Sequence, residues 1–296
     1  SDVLQFYQHL LKDKEMQINT LETIHTVLHP TFQLAVRDDI IRNNPSDGVM
    51  AQIKKQPGRN HGVRHALTLE QQRAFINYVE NNPQYYRWVS LFKFLLGTGC
   101  RIGEAIGIRW EDVDFENRII SINHSLIYYS REYKEHPMST FSISLPKTEA
   151  GIRNIPMMDA VYDALQAELE EQRESGFNET EIEGMKGFIF MNRFGYIHNP
   201  QSINRAIKRI YESYNAEEVV KALKQHREPV LIPHFSCHHL RHTFCSRLCE
   251  NETNIKVIQS IMGHADFETT MDIYAEVNDT KKQEAIQNLA HKLDVF

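Results

Sequence analysis

Cysteine is scarce in this chain, and long apolar runs and a leader pattern are missing from it. Only four cysteines occur in 296 residues, and three of them (Cys237, Cys245 and Cys249) crowd into one short stretch. That is not the spaced framework of a disulfide-stapled secreted domain, so an intracellular, reducing setting is expected. No apolar run approaches the roughly 18 residues of a membrane span. The best candidate, Trp88 to Gly97, is short and interrupted by Lys93. No basic-then-apolar leader opens the sequence, so neither an export signal nor a membrane segment is expected. The first residue is Ser rather than Met, which suggests that further residues lie upstream. What is present is ample for a packed core: 41% of the residues are hydrophobic and 10% aromatic.

Charge is unevenly placed. The net charge of −6 argues against a polyanionic partner only as an average. Between Asp159 and Glu183 nine acids face one base, Arg173, so that segment carries −8 and the remainder of the chain +2. From Gly48 to Leu69 there is no acid at all, while Lys54, Lys55, Arg59 and Arg64 fall there among Pro and Gly. Such a segment is either a solvated hinge or a strap along a phosphate backbone, where each neutralised phosphate makes binding salt-dependent.

This basic linker, residues 53–66, divides the chain. Residues 1–52 carry helical periodicity closed by the turn-forming Asn43 to Gly48, which reads as a small helical domain. Beyond the linker, Thr68 and Gln71 have capping-box spacing and open a helix. Three β-branched, alternating stretches (Arg118 to Ser130, Phe141 to Thr148 and Ile152 to Met157) predict a small antiparallel sheet. From Pro156 onward the periodicity is mostly helical. The expected fold is mainly α with a small antiparallel β-sheet, an α+β domain over 67–280 followed by an amphipathic tail at 281–296.

Three segments carry candidate chemistry. In the first, Gly97 and Gly99 form a loop running into a helix with Arg101 in its first turn, a setting that suits a phosphate; pairing of Arg101 with Glu104 on a solvated face is the alternative. The second runs from Cys237 to Cys249. On a helix His238, His242, Cys245 and Cys249 share one face, which suggests a metal site, but they span about 16 Å of helix axis, while zinc ligands lie about 2.0–2.3 Å from one ion. One helix supplies two ligands at most. Cys237, Leu240, Phe244 and Leu248 form an apolar stripe, and His242, Cys245 and Cys249 are most simply packing residues. In the third, Gly263 caps a helix, His264 follows, and Tyr274 lies on the next helix.

The order of these segments, an arginine in Thr98-Gly99-Cys100-Arg101-Ile102-Gly103-Glu104, a hairpin lysine, then His238 to Phe244, then Gly263-His264 leading to Thr269, Thr270 and Tyr274, resembles the tyrosine recombinases, or phage-type integrases. The resemblance spans the larger domain, and Ala35 to Val49 is similar to the end of the family's helical core-binding domain. Among recombinases the sequence looks most like the integrases of conjugative transposons. Carried over position by position, the resemblance implies Arg101, Lys147, His238, Arg241, His264 and Tyr274 as catalytic residues, with Glu104 orienting their neighbours.

The roles follow from the chemistry of a phosphodiester, a poor electrophile with charge on its non-bridging oxygens. Arg101 and Arg241 clamp those oxygens, a task that lysine's point charge does less well. The resemblance implies that Tyr274 attacks phosphorus to give a 3′-phosphotyrosyl bond, that His238 and His264 accept or relay its proton, their roles not separated, and that Lys147 protonates the departing 5′-oxygen, with Lys134 as the alternative acid. The resemblance implies no cofactor and no metal, because the phosphotyrosyl bond conserves the energy of the bond broken. It also implies double-stranded DNA as partner, a dimer to tetramer on DNA, excision or host DNA-bending factors, and a bacterial cytoplasmic setting. Its further implications are a C-shaped clamp of the two domains, with Lys54, Lys55, Arg59 and Arg64 on DNA and the acidic segment facing away, and a tail that docks on a neighbouring subunit rather than on its own domain. A non-catalytic DNA-binding protein, a type IB topoisomerase and a metal-dependent hydrolase are the alternatives; the last lacks an HExxH motif.

Overall fold

The computed structural model describes residues 2–55, 66–129, 140–146, 151–263, 270–271 and 273–275, with backbone only at residue 140. The chain divides into two compact units, Ser1–Arg64 and His65–Phe296.

The first unit is helical: α1 (Asp2–Lys12), α2 (Ile18–Arg37) and α3 (Val49–Lys54). Val3, Tyr7 and Leu10, spaced at helical intervals on α1, meet Leu21 of α2 and Val49, Met50 and Ile53 of α3. The turn between α2 and α3 is tied down by Asn44, buried, which donates Nδ2 to the His29 carbonyl at 3.1 Å and accepts from the Ser46 N–H at 3.0 Å. α3 carries the helical unit two residues into the expected linker, because Ile53 is fully buried in this core. Lys54 is consequently a helix residue, ion-paired with Glu22 at 2.6 Å.

The second unit opens with α4 (Leu69–Asn81), whose Thr68–Gln71 capping box is formed as expected, at 3.2 Å and 3.0 Å. It continues through α5 (Val89–Thr98), α6 (Ile102–Gly107), β1 (Val113–Asp114), β2 (Ile119–Ile122), β3 (Ser125–Tyr129), β4 (Thr140–Ser144), β5 (Arg153–Pro156), α7 (Asp159–Ser175), α8 (Pro200–Gln225), α9 (Cys237–Asn251) and α10 (Ile255–Met262). Thr270, Met271 and residues 273–275 are again helical. Phe75, Phe92, Phe94, Leu95 and Leu240 sit in its main core with the inward residues of the strands.

The strands form two antiparallel sheets, β1-β2-β5 and β3-β4, where one small sheet was expected. The break falls at Asn123 and His124. His124 is buried and its Nε2–H donates to the Gly107 carbonyl at 2.7 Å, which turns β3 onto α6 instead of extending β2. β3 approaches so closely that a Cβ on Gly103 would lie 2.7 Å from the Leu126 carbonyl oxygen. A second departure concerns Gly97, expected in a loop: it is inside α5, where a Cβ would meet Val161 of α7 at 2.2 Å. Its smallness serves helix packing, not loop geometry. The acidic segment is largely α7, held to the core by Val161, Ala164 and Leu165.

Candidate active site

α5 ends at Gly99, in the left-handed region at φ +62°. A Cβ there would stand 2.3 Å from Phe244 Cδ1 on α9, so a glycine lets the chain reverse directly beside that helix. The turn delivers Arg101 to the N-cap of α6, one residue earlier than the expected first turn. Glu104, buried one turn on, accepts from the Arg101 backbone N–H at 2.8 Å and from Arg101 Nη1 at 2.9 Å.

The other arginine comes from α9. Cys237 and Leu240 face the main core as the apolar stripe predicts, and Arg241 is buried beside them at 8% exposure. It donates Nη1 to the Gly99 carbonyl and Nη2 to the Met262 carbonyl, both at 2.7 Å. Arg101 Nη2 reaches the next carbonyl, Gly263, at 3.1 Å. A third guanidinium completes the cluster. Arg153, the first residue of β5, donates Nη1 and Nη2 to Glu104 at 3.1 Å and 2.8 Å, and Nε to the Ile261 carbonyl at 2.8 Å. Three consecutive carbonyls at the end of α10 therefore each take one arginine. The end of a helix leaves such carbonyls unpaired and carries partial negative charge, so it is a natural seat for guanidinium groups.

The electrostatics favour an anion. One carboxylate among three guanidiniums leaves an excess of two positive charges. Burial, followed by the nearby charge of Arg101, lowers the Arg241 pKa to about 10, still protonated at neutral pH. For Glu104, burial pushes upward, but the bonds and charges of Arg153 and Arg101 outweigh it and hold the carboxyl below its ordinary range. Arg101 keeps 44% of its side chain exposed. A half-open arginine beside a buried one, both charged and oriented, can bind a phosphate through charge-assisted bonds.

Tyr274 packs against the two helices that supply Arg241 and the arginine-binding carbonyls. It is half-buried with Ile273 against Cys245, Cys249, Ile258 and Met262, the small core between α9 and α10. The residue whose carbonyl holds Arg241 thus also packs in the cluster that seats Tyr274.

The sequence matches the phage integrase family over residues 65–281. The chain belongs to the phage integrase family. Relatives include the transposase from transposon Tn916 of Enterococcus faecalis, 30% identical over 256 residues, covering 86% of this chain and 58% of that protein. The ICEBs1 integrase of Bacillus subtilis is 23% identical over 293 residues, covering 99% and 70%. The chain thus spans less than two thirds of the length of the Tn916 relative. Among solved structures, the Tn1549 transposon integrase in complex with transposon right end DNA is 29% identical with a TM-score of 0.79, covering 98% of this chain and 84% of that one. The XerH site-specific recombinase, 16% identical with a TM-score of 0.62, shares the fold.

Of the residues singled out in the sequence, Arg101 and Glu104 are bonded to each other, Arg241 and Arg101 hold the neighbouring carbonyls of Met262 and Gly263, and Tyr274 packs in the small core that includes Met262. His238 is exposed on the first turn of α9, one turn before Arg241. Lys147, His264, Arg59, Arg64 and the alternative acid Lys134 lie outside the described residues, as does the tail at 281–296. Lys55 is exposed at the end of α3. The four thiols are buried and unbridged. Burial raises Cys100 to about 11 and Cys237 to about 12, and Cys245 is pushed up by its bond to Cys249 and by burial. They are poor ligands in that state, and among the described residues no three His, Cys, Asp or Glu converge for a metal ion. No helix among them is long and apolar enough to cross a membrane.

Sequence reasoning missed two features. Arg153 falls in a stretch that reads simply as strand, although a charged residue two positions from Ile155 on the inward face of a strand is itself a signal. The second is a basic cleft of about 800 Å³ at the start of α8, lined by Arg87, Arg193, Arg205, Lys208 and Arg209 with the exposed ring of Phe194. Arg205, Lys208 and Arg209 recur at i, i+3 and i+4, which the sequence displays.

Proposed function

We propose that this integrase cleaves and rejoins double-stranded DNA at specific sites, through a 3′-phosphotyrosyl bond to Tyr274, to integrate and excise a mobile element. The observation that carries the reading is the pair Arg101 and Arg241, charged, oriented and fixed to the end of α10 beside the cluster that seats Tyr274. The DNA complexes of the Tn1549 integrase support it.

In this reading the two arginines hold the non-bridging oxygens of the scissile phosphate and stabilise the charge that builds on them. The Tyr274 oxygen attacks phosphorus, the bond to the 5′-oxygen breaks, and the tyrosine proton leaves by way of His238 or His264. Lys147 gives the 5′-oxygen its proton. Rejoining reverses these steps with the 5′-hydroxyl of a second strand, so no external energy source is required. Exchange between two duplexes involves four cleavages, hence a tetramer built from dimers on DNA, with the tail at 281–296 linking neighbours. Lys55, Arg59, Arg64 and the basic cleft at α8 supply backbone contacts.

The test is capture of the covalent bond. Nicked duplexes with a randomised central site, whose cleaved fragment diffuses away, are incubated in EDTA with the parent and with Tyr274→Phe, and denaturant-resistant adducts are sequenced. An adduct from the parent alone, at a shared sequence, is the expected result. Adduct formation by the phenylalanine variant, or restoration only by added zinc, would overturn the assignment.

A further inference from the structure

Arg153 is as deeply buried as Arg241 and far more so than Arg101. Only 4% of its side chain is exposed, and it bridges three elements: β5, which carries it, α6 through both oxygens of Glu104, and α10 through the Ile261 carbonyl. The end of α10 is shaped around it. Gly263 adopts φ +62°, and a Cβ there would stand 2.8 Å from Arg153 Nη1 and 3.0 Å from its Cδ, so the left-handed glycine admits the guanidinium against the backbone.

Arg101, by contrast, is half-exposed and has two anchors in the cluster, Glu104 Oε1 and the Gly263 carbonyl. Both depend on Arg153. Glu104 Oε1 accepts from Arg101 Nη1 and from Arg153 Nη1 at once, and Arg153 holds the other oxygen as well. The Gly263 carbonyl lies two residues beyond the one that Arg153 grips. A long exposed side chain loses its orientation easily, and phosphate transfer is sensitive to misplacement of a donor by about 1 Å.

We propose that Arg153 is a positioning residue of the phosphate site, fixing the orientation of Arg101 through their shared carboxylate, Glu104, and the terminal carbonyls of α10. The proposal rests on the phosphotyrosyl reading above. Lysine cannot replace it, because one ammonium does not present a planar fork to a carboxylate while also reaching a carbonyl. Arg153 touches no reacting atom in this scheme; it acts on the transition state only through Arg101.

The experiment compares the parent, Arg153→Lys, Arg101→Lys and the double variant on a nicked duplex bearing the captured site. It reads adduct rate at saturating DNA, DNA affinity and thermal midpoint. Each protein is also tested on a duplex with a methylphosphonate at the scissile position, where a methyl group replaces one non-bridging oxygen and its charge. Arg153→Lys is expected to slow adduct formation about 30- to 100-fold with DNA affinity within about 3-fold. That loss should shrink to under about 5-fold on the uncharged phosphonate, because less charge needs an oriented arginine. The double variant should be no slower than Arg101→Lys alone, since the two act as one unit.

A rate within about 2-fold of the parent, or an equal loss on both substrates, would overturn the proposal and leave Arg153 a purely structural ion pair. Where Arg153→Lys is unstable, Arg153→Gln is measured at a temperature at which circular dichroism shows the fold intact, and the same ratio between substrates decides. Absence of a Tyr274-dependent adduct from the parent would sink the phosphotyrosyl reading as well, whereas fully active Arg153 variants sink this proposal alone.

Discussion

Arg241 illustrates how much one side chain must do here. Its two Nη groups hold the Gly99 and Met262 carbonyls, so the guanidinium proposed to face a phosphate also ties the end of α5 to α10. Arg241→Lys should therefore lose adduct formation by about 100-fold or more while keeping most DNA affinity, which a rate at saturating DNA set against a binding isotherm checks. Glu104 is the counterpart. Removing one partner of a buried ion pair costs about 3–5 kcal/mol, the loss expected for Glu104→Gln in denaturant unfolding. Its folded pKa lies below the ordinary 4.5, so its contribution is present above that value and lost as pH falls through the depressed one. His198 acts at higher pH. Buried, with its ring tilted against Trp88 at 4.5 Å between centroids, it is lowered to about 4, chiefly by burial and also by Arg87, against the upward pull of its bond to the Met191 carbonyl. Between pH 6.5 and 4 the unfolded state binds the extra proton, so stability falls as pH drops through that window, by on the order of 3 kcal/mol. His198→Gln should flatten the slope. The convergence of Arg101, Glu104 and Arg241 at one helix end was legible because a motif fixes residue types at set spacings. Arg153 was not, because its partners lie 49 and 108 residues away and spacing along a strand says nothing of them.

Among the elements, α5 and α9 show how the clamp is built. Gly99 combines a positive φ with contact to Phe244, so Gly99→Ala meets both backbone strain and overpacking, about 2–4 kcal/mol together. Phe244→Leu in the same chain should recover the packing part and leave the strain, a coupling readable from thermal midpoints of the two singles and the double. The helix of α9, the Cys237 and Leu240 half of its apolar stripe and the Thr68 cap were legible because local pattern and tertiary burial agree there, whereas Phe244 and Leu248 are half-buried in the small core with Cys245 and Cys249. The placement of Gly97 and the division of the strands were not. Glycine before a turn reads as loop, and only the facing Val161 shows that α5 continues through it. Likewise the bond from His124 to Gly107, 17 residues back, breaks a stretch that alternates well enough to pass for one sheet.

For the molecule as a whole, a net charge of −6 coexists with a locally positive site because the acids and bases are segregated. Affinity for duplex DNA should fall linearly on a log–log plot against salt. Replacing Arg205, Lys208 and Arg209 by glutamine should reduce that slope by about one unit for each phosphate no longer neutralised, across unrelated sequences, while a drop confined to one site sequence would count against a backbone role. Segregation also explains how three like charges stay together. The carbonyls of Ile261, Met262 and Gly263 orient the guanidiniums without cancelling them, since a peptide oxygen brings partial charge and no formal one. Three carboxylates in their place would, together with Glu104, have outweighed the three guanidiniums and left nothing to attract an anion. Built on backbone instead, the cluster has an unmet demand for a counter-ion. In the absence of DNA, millimolar sulfate should raise the thermal midpoint of the parent more than that of Arg101→Gln, and should compete with the scissile phosphate in the adduct assay.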